Sequence, residues 1–278
     1  MQFTKYTGLG NDFIFLDTPQ AQALRDPFHA AKVLCDRHTG IGADGLILLL
    51  PSDKADVQMR IINSDGSEAE MCGNASRCVP LHLVRHGLTA KRQITLDTLA
   101  GLIRTEIVDE KNGLVRVNMG TPRLMRGEIP MDGPANEKAI GVTLQAADRE
   151  FTGTAVSMGN PHFVIFVKDI NLVLLEKWGP ALENHPAFPR KTNVEFVQVL
   201  DNQTVRMRVW ERGAGITQAC GTGACATAVA CVLNHQTVPD ITVQLDGGNL
   251  QIAWPDQQDV WMTGPAREVF SGAYLGDL

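Results

Sequence analysis

Two cysteines carry the clearest chemical signal in the chain. Cys72 and Cys220 lie 148 positions apart, and each is followed by glycine. The spacing is not isolated. Sliding the sequence over itself by 148 positions lays Val57 to Asn63 on Val205 to Glu211, and Leu46 to Leu49 on Val194 to Val197. An offset of 149 lays Gly10-Asn11 on Gly159-Asn160, and one of 147 lays Ile94 to Leu96 on Ile241 to Val243. Each repeat closes alike, with Met119-Gly120-Thr121-Pro122 in one and Met262-Thr263-Gly264-Pro265 in the other. Two copies are too few for a solenoid. The reading is two similar domains facing each other: residues 1–120 with 266–278, and residues 121–265.

Both cysteines follow a glycine-bearing loop and precede a helical pattern. A helix start offers free backbone N–H groups and a partial positive charge. Both favour thiolate over thiol, so both cysteines are expected to have pKa values drawn from about 8.5 toward neutrality. The N–H groups of Gly73-Asn74 and Gly221-Thr222 are expected to hold a carboxylate. Two thiols reaching one cleft from opposite sides suit the inversion of a carbon centre: one removes a proton from one face while the other delivers a proton to the opposite face. The carbanion-like transition state needs donors at the neighbouring carboxylate, which the helix starts supply.

The elements that must position these groups read as α/β. Val57 to Asn63 and Val205 to Glu211 alternate as strands. The loops Ser64–Met71 and Arg212–Ala219 follow. Ala224 to Leu233 is small and apolar on nearly all sides, as in a buried helix, whereas its counterpart Ala75 to His86 is amphipathic. Pro80 is expected in the first turn of that helix, where a missing N–H costs least. The 120–150 region has no clear assignment. His82 and His86 share a helix face, expected to be solvated rather than metal-binding.

Composition narrows the class. The chain has 278 residues, 44% hydrophobic and 20% charged, with a net charge of −6. No apolar run approaches the ~20 residues of a membrane span, and no basic run marks a nucleic-acid surface. The six cysteines, Cys35, Cys72, Cys78, Cys220, Cys225 and Cys231, lack the paired spacing of a zinc site. Met1 to Lys5 lacks an export-signal layout, so reduced thiols and a cytoplasmic location are expected. Cys35, Cys78, Cys225 and Cys231 read as small buried hydrophobes. No dinucleotide fingerprint or P-loop is complete, and no cofactor or metal is expected.

At the cysteines the sequence closely resembles the diaminopimelate epimerase family. The matching stretches are Gly8 to Phe13, Arg37 to Gly45, Asn63 to Ser67 with Cys72 to Asn74, Met158 to His162, Asn193-Val194, and Glu211 to Gly215 with Thr217 to Gly223. The resemblance implies two pseudo-symmetric α/β (α+β) domains, each a sheet or barrel around a central helix, with the active site in the cleft between them. It implies cofactor-independent interconversion of LL- and meso-diaminopimelate, in lysine and peptidoglycan precursor biosynthesis, by a homodimer. Cys72 and Cys220 match the acid/base pair, and His162 and Glu211 match residues that tune the thiols. Asn11, Asn63, Asn160, Asn193 and Arg212 match substrate contacts. The chemistry agrees, because amides donate and accept at an amino-acid group and Arg212 can grip a carboxylate with parallel hydrogen bonds.

Some positions depart from the family pattern: Ile216 stands for Glu, Ala75-Ser76 for Gly-Ala, Gly45 for a Gln and Phe270 for a Tyr. Ile216 and Gly45 bear on substrate identity. A racemase of histidine or lysine on the same fold stays open beside the epimerase. So does a different class, a dithiol redox or sensing protein using Cys72 and Cys220.

Overall fold

The computed structural model describes residues 1–276 and 278. The chain divides into two compact units, residues 1–118 with 263–278, and residues 119–262.

The first unit begins with β1 (Gln2–Gly8) and β2 (Asn11–Leu16), then α1 (Thr18–Ala23), α2 (Pro27–Cys35), β3 (Gly45–Leu50), β4 (Val57–Asn63) and the two-residue β5 (Glu68–Ala69). Helix α3 (Gly73–Arg85) follows, then β6 (Gln93–Thr98), β7 (Gly101–Asp109) and β8 (Leu114–Asn118). The second unit holds β9 (Val142–Ala146), β10 (Arg149–Ser157), β11 (Pro161–Phe166), α4 (Leu175–Glu183), β12 (Asn193–Val199), β13 (Thr204–Glu211), β14 (Gly215–Ile216), α5 (Gly221–Leu233), β15 (Asp240–Leu245) and β16 (Gly248–Ala253). Strand β17 (Trp261–Pro265) carries the chain back to the first unit, where β18 (Arg267–Ala273) pairs antiparallel with β1.

The repeat read from the sequence is a repeat of topology. In the first unit β1–β2 is antiparallel, β2–β3 parallel, β3–β4 and β4–β5 antiparallel, β4–β6 parallel and β6–β7 antiparallel. The second unit repeats this order with β10, β11, β12, β13, β14, β15 and β16. Helices α3 and α5, 13 residues each, start 148 positions apart. The architecture is sheet-dominated α+β.

Each of these helices lies inside its own unit's strands. Strands β1, β6, β7, β8 and β18 pack on α3, and β10, β11, β12, β13, β15 and β16 pack on α5. Residues Gly73 to Leu83 of α3 and Gly223 to Cys231 of α5 are buried without interruption. A helix surrounded on all sides must be apolar all round or pair its polar groups. Helix α5 does the first, with Ala, Cys, Thr and Val. Helix α3 pairs its largest polar groups: Arg77 donates to the Pro265 carbonyl at 3.2 Å and to Asn74 Oδ1 at 3.0 Å, and His82 Nε2 lies 2.8 Å from Asp17 Oδ1, while Ser76 Oγ and His82 Nδ1 have no partner among the described residues.

Two expectations change here. His82 does not lie on a solvated face: it is buried, with its ring stacked 4.3 Å from that of His86, which is exposed. Pro80 is not in the first turn, because α3 begins at Gly73 and Pro80 falls at its eighth residue. The missing N–H there forgoes a bond to Ser76 O, at a cost of about 3 kcal/mol. The surrounding strands hold the helix through it, since tertiary packing supplies most helix stability in proteins.

All six cysteines are unbridged. Burial pushes the Cys35, Cys78 and Cys231 thiols up to about 12 from an ordinary 9.0. A thiol raised in this way favours the folded state below its unfolded pKa and loses that contribution as pH rises toward its folded one. Melting temperature should therefore fall between pH 9 and 12, and Cys78→Ala should flatten the fall; a slope identical to the parent's would contradict this assignment. A maleimide at pH 8 should leave Cys35, Cys78, Cys225 and Cys231 unmodified in the folded protein.

Candidate active site

The residues with chemical potential gather, in each unit, at one end of three neighbouring strands beside the start of the buried helix. In the first unit Asn11 opens β2, Gly45 opens β3 and Asn63 closes β4, and register runs Phe13↔Gly45↔Asn63. In the second unit β11 begins beside Asn160, Asn193 opens β12 and Glu211 closes β13, with His162 registered on Asn193. A glycine turns the chain into the first of these strands in both units. Gly10 has φ 89° and Gly159 has φ 99°, a left-handed backbone that suits glycine.

Cys72 and Cys220 are the N-cap residues of α3 and α5, each with extended backbone (φ −140°, ψ 114° and φ −122°, ψ 110°). Cys220 Sγ accepts the Gly223 N–H at 3.3 Å and lies 3.6 Å from Thr222 Oγ1. Gly221 and Thr222 are first-turn residues, whose N–H groups have no partner inside a helix.

The first-unit residues are tied to one another. Asn74 Nδ2 donates to Asn11 Oδ1 at 2.6 Å, Asn11 Nδ2 donates to Asp44 Oδ2 at 2.7 Å, and Asn63 donates to Ser67 Oγ at 2.9 Å. A charge cluster supports Asn11 from behind. Arg37 bridges Asp12 and Asp44, and Lys5 Nζ sits 2.8 Å from Asp12 and donates to the Gly42 carbonyl. Burial alone would raise the Asp12 carboxyl, but Arg37 and Lys5 together hold it down at about 2.

In the second unit Asn160 Nδ2 donates to Thr222 Oγ1 at 3.3 Å, and His162 Nε2 lies 3.0 Å from Asn160 Oδ1. Asn193 braces the strand ends, donating to the Pro161 carbonyl at 2.8 Å and accepting the Arg212 N–H at 2.9 Å. The Arg212 guanidinium donates to the Arg190 carbonyl, and Glu211 accepts from Thr217. Glu183 of α4 fixes the loop after β13 by accepting from Trp210 Nε1 at 2.7 Å and Gly213 N–H at 3.0 Å. Ile216 is exposed on β14.

Two features differ from the sequence reading. The helix start does not bring the Cys220 thiol toward neutrality. Cys220 is 4% exposed, and burial, with the Glu211 and Glu195 carboxylates, pushes its pKa well above the ordinary value. The Thr222 hydroxyl and Gly223 N–H pull the other way and lose, so Cys220 is a thiol at neutral pH. The second feature is Glu195, absent from the sequence-derived set. It is wholly buried at mid-strand, with Oε1 2.7 Å from His162 Nδ1. Its signal was available: it is a carboxylate within the apolar strand Val194 to Val197, at the place where the repeat carries Ile47.

Two topologically duplicate α+β units, each with strands packed around a buried helix, define the class of this fold. It is shared with a PhzF-family phenazine biosynthesis protein of Bacillus anthracis (TM-score 0.71, 16% identity, 99% of each chain). It is also shared with a hydroxyproline epimerase of Agrobacterium vitis (TM-score 0.67, 16% identity, 98% of this chain and 91% of that one). The particular family follows from sequence. The family model described as diaminopimelate epimerase matches residues 3–125 and 154–269. Diaminopimelate epimerases of Pelotomaculum thermopropionicum and Desulforudis audaxviator are 55% and 56% identical over 277 residues, 99% of both chains in each case. The chain belongs to the diaminopimelate epimerase family.

Gly223 supplies a test of the second-unit geometry. A Cβ there would lie 2.7 Å from Glu195 Oε1 and 3.2 Å from Cys220 Sγ. Gly223→Ala should therefore displace the Glu195 head or the thiol and lower kcat by about 10²-fold, as a 1 Å misplacement can, with the melting temperature largely kept. Near-parental turnover would show that this packing is not needed.

Proposed function

We propose that this chain is a cofactor-independent epimerase that interconverts LL- and meso-diaminopimelate, with Cys72 and Cys220 as the two acid/base groups. The carrying observation is that both units cap the same buried helix with a cysteine, in a chain belonging to the diaminopimelate epimerase family over nearly its full length.

One cysteine, as thiolate, takes the α-proton, and the other, as thiol, delivers a proton to the opposite face; the roles exchange with direction. The high pKa of Cys220 supports a resting thiol there, which makes Cys220 the proton donor for one epimer. Negative charge developing on the substrate carboxylate is met by the N–H groups of Gly73-Asn74 and Gly221-Thr222. Asn11, Asn63, Asn160, Asn193 and Arg212 bind the two amino-acid ends. His162 and Glu211 act on the state of Cys220. A homodimer in the cytoplasm, serving lysine and peptidoglycan precursor synthesis, completes the reading.

Reduced protein without added cofactor should exchange the α-proton of LL-diaminopimelate for deuterium from D2O and form the meso isomer. Cys72→Ala and Cys220→Ala should each lower epimerisation by about 10²–10⁴-fold, the usual contribution of a general acid or base, with folding unchanged. Absence of exchange in the reduced parent protein would end this reading. Preference for histidine or lysine in a chiral amino-acid panel would move the substrate and keep the chemistry.

A further inference from the structure

The second unit contains a buried ionisable pair that its duplicate lacks. The 149 offset that aligns Asn11 with Asn160 places Phe13 opposite His162, and the 148 offset places Ile47 opposite Glu195. The registers agree, since Phe13 pairs with Gly45 as His162 pairs with Asn193, and Phe15 with Ile47 as Val164 with Glu195. Phe13 and Ile47 are buried apolar residues. The same pair of parallel strands is thus built twice, once with Phe and Ile and once with His and Glu. The fold does not require the polar pair, and a buried pair of this kind is no reliable source of stability.

The pair begins a continuous chain that ends at a thiol. Glu195 Oε1 lies 2.7 Å from His162 Nδ1, His162 Nε2 3.0 Å from Asn160 Oδ1, Asn160 Nδ2 3.3 Å from Thr222 Oγ1, and Thr222 Oγ1 3.6 Å from Cys220 Sγ. The direction of each bond follows from counting protons. Asn160 presents its oxygen to His162, so Nε2 carries a hydrogen. The contact between Nδ1 and Oε1 holds one more. Whether that second proton sits on nitrogen or on oxygen, the pair is neutral overall and His162 has no lone pair free to accept from substrate or thiol. Asn160 then donates to Thr222, whose hydroxyl hydrogen remains for Cys220. Were Nε2 to lose its hydrogen, Asn160 would turn its amide toward it. Thr222 would then donate to Asn160 instead, and a thiolate at Cys220 would lose a donor.

Resting on the epimerase reading, we propose that Glu195 is the positioning residue of the Cys220 half-site: by sharing one proton with His162 it fixes the direction of the Asn160–Thr222 chain, so that the Thr222 hydroxyl points at the sulfur when Cys220 is ionised. Burial supports proton sharing. Glu195 Oε2 has no hydrogen-bond partner among the described residues, so an unneutralised charge there would be costly. Desolvation raises the carboxyl, and Glu211 at the end of β13 adds to this, while His162 opposes it. The charged and titratable groups facing the pair are therefore Glu211 from β13 and Cys220 from α5.

Glutamine at 195 can donate to Nδ1 or accept from it, so Glu195→Gln leaves the direction of the chain unspecified. In 15N-labelled parental protein, Nε2 of His162 should read as protonated, and in Glu195→Gln it should move toward the unprotonated value. In epimerisation, Glu195→Gln and Thr222→Val should each lower kcat by about 10- to 150-fold, the cost of a lost hydrogen bond to a charged group, with KM changed less than threefold. In the direction that uses Cys220 as base, the ascending limb of the pH profile should move to higher pH in both. Because both act through one chain, the double variant should be little worse than either single one. The double replacement His162→Phe with Glu195→Ile, copying the first unit, should fold with a near-parental melting temperature and lose turnover. An unprotonated Nε2 in the parent, additive effects of Glu195→Gln and Thr222→Val, or unshifted pH profiles would each overturn the proposal. Failure of the parent to exchange an α-proton would instead remove the epimerase reading, while the nitrogen signal would still report on the chain.

Discussion

Burial of a helix along nearly its whole length is the constraint on which the rest of this structure depends. Once strands cover the sides of α3 and α5, the functional groups beside each helix gather at its N-terminal end, where the backbone N–H groups are free. The residues at that end then have two tasks, closing the sheet around the helix and presenting chemistry. Cysteine suits both, because its sulfur packs as an apolar atom and accepts a backbone N–H, as Cys220 does from Gly223. The three strand ends beside the helix start are the natural places for polar side chains, and Asn11, Asn63, Asn160, Asn193 and Glu211 all occur there.

The same constraint sets the electrostatics. A thiol at a helix start in water would be acidified by the helix dipole. At Cys220 the surrounding strands remove water and Glu211 stands nearby, so desolvation and like charge win. The helix start still matters, because its N–H and the Thr222 hydroxyl are the groups that favour the ionised form. The two halves of the chain have separated in this respect. At equivalent places in the strand register one carries the buried Phe13 and Ile47, and the other His162 and Glu195.

Much of this was legible in the sequence, for a physical reason. A duplication keeps element lengths and spacing, so the 148 offset located both helices, both long strands and both cysteines before any coordinates. Strand type and helix type were equally plain where the pattern was pure, as in Ala224 to Leu233. What the sequence concealed was burial of polar groups. His82 and Arg77 lie on a helix that composition makes amphipathic, yet strands enclose it, with Asp17 meeting His82 Nε2 and Asn74 meeting Arg77. A proline costs least near a helix start, which argues for a first-turn Pro80, whereas α3 begins at Gly73 and its surrounding strands hold it through the proline. Glu195 escaped because a single carboxylate within a strand shows its importance only once its partner across the sheet is known.

The charge cluster behind Asn11 carries a consequence for how the protein tolerates acid. Lys5, Arg37, Asp12 and Asp44 form a knot that holds one asparagine. Arg37 and Lys5 hold Asp12 down at about 2, so its charge persists across the interval in which ordinary carboxylates and imidazoles change state. Behind Asn11 this one carboxylate therefore acts as a fixed countercharge for Lys5 and Arg37 where solvent-exposed acids have already begun to neutralise.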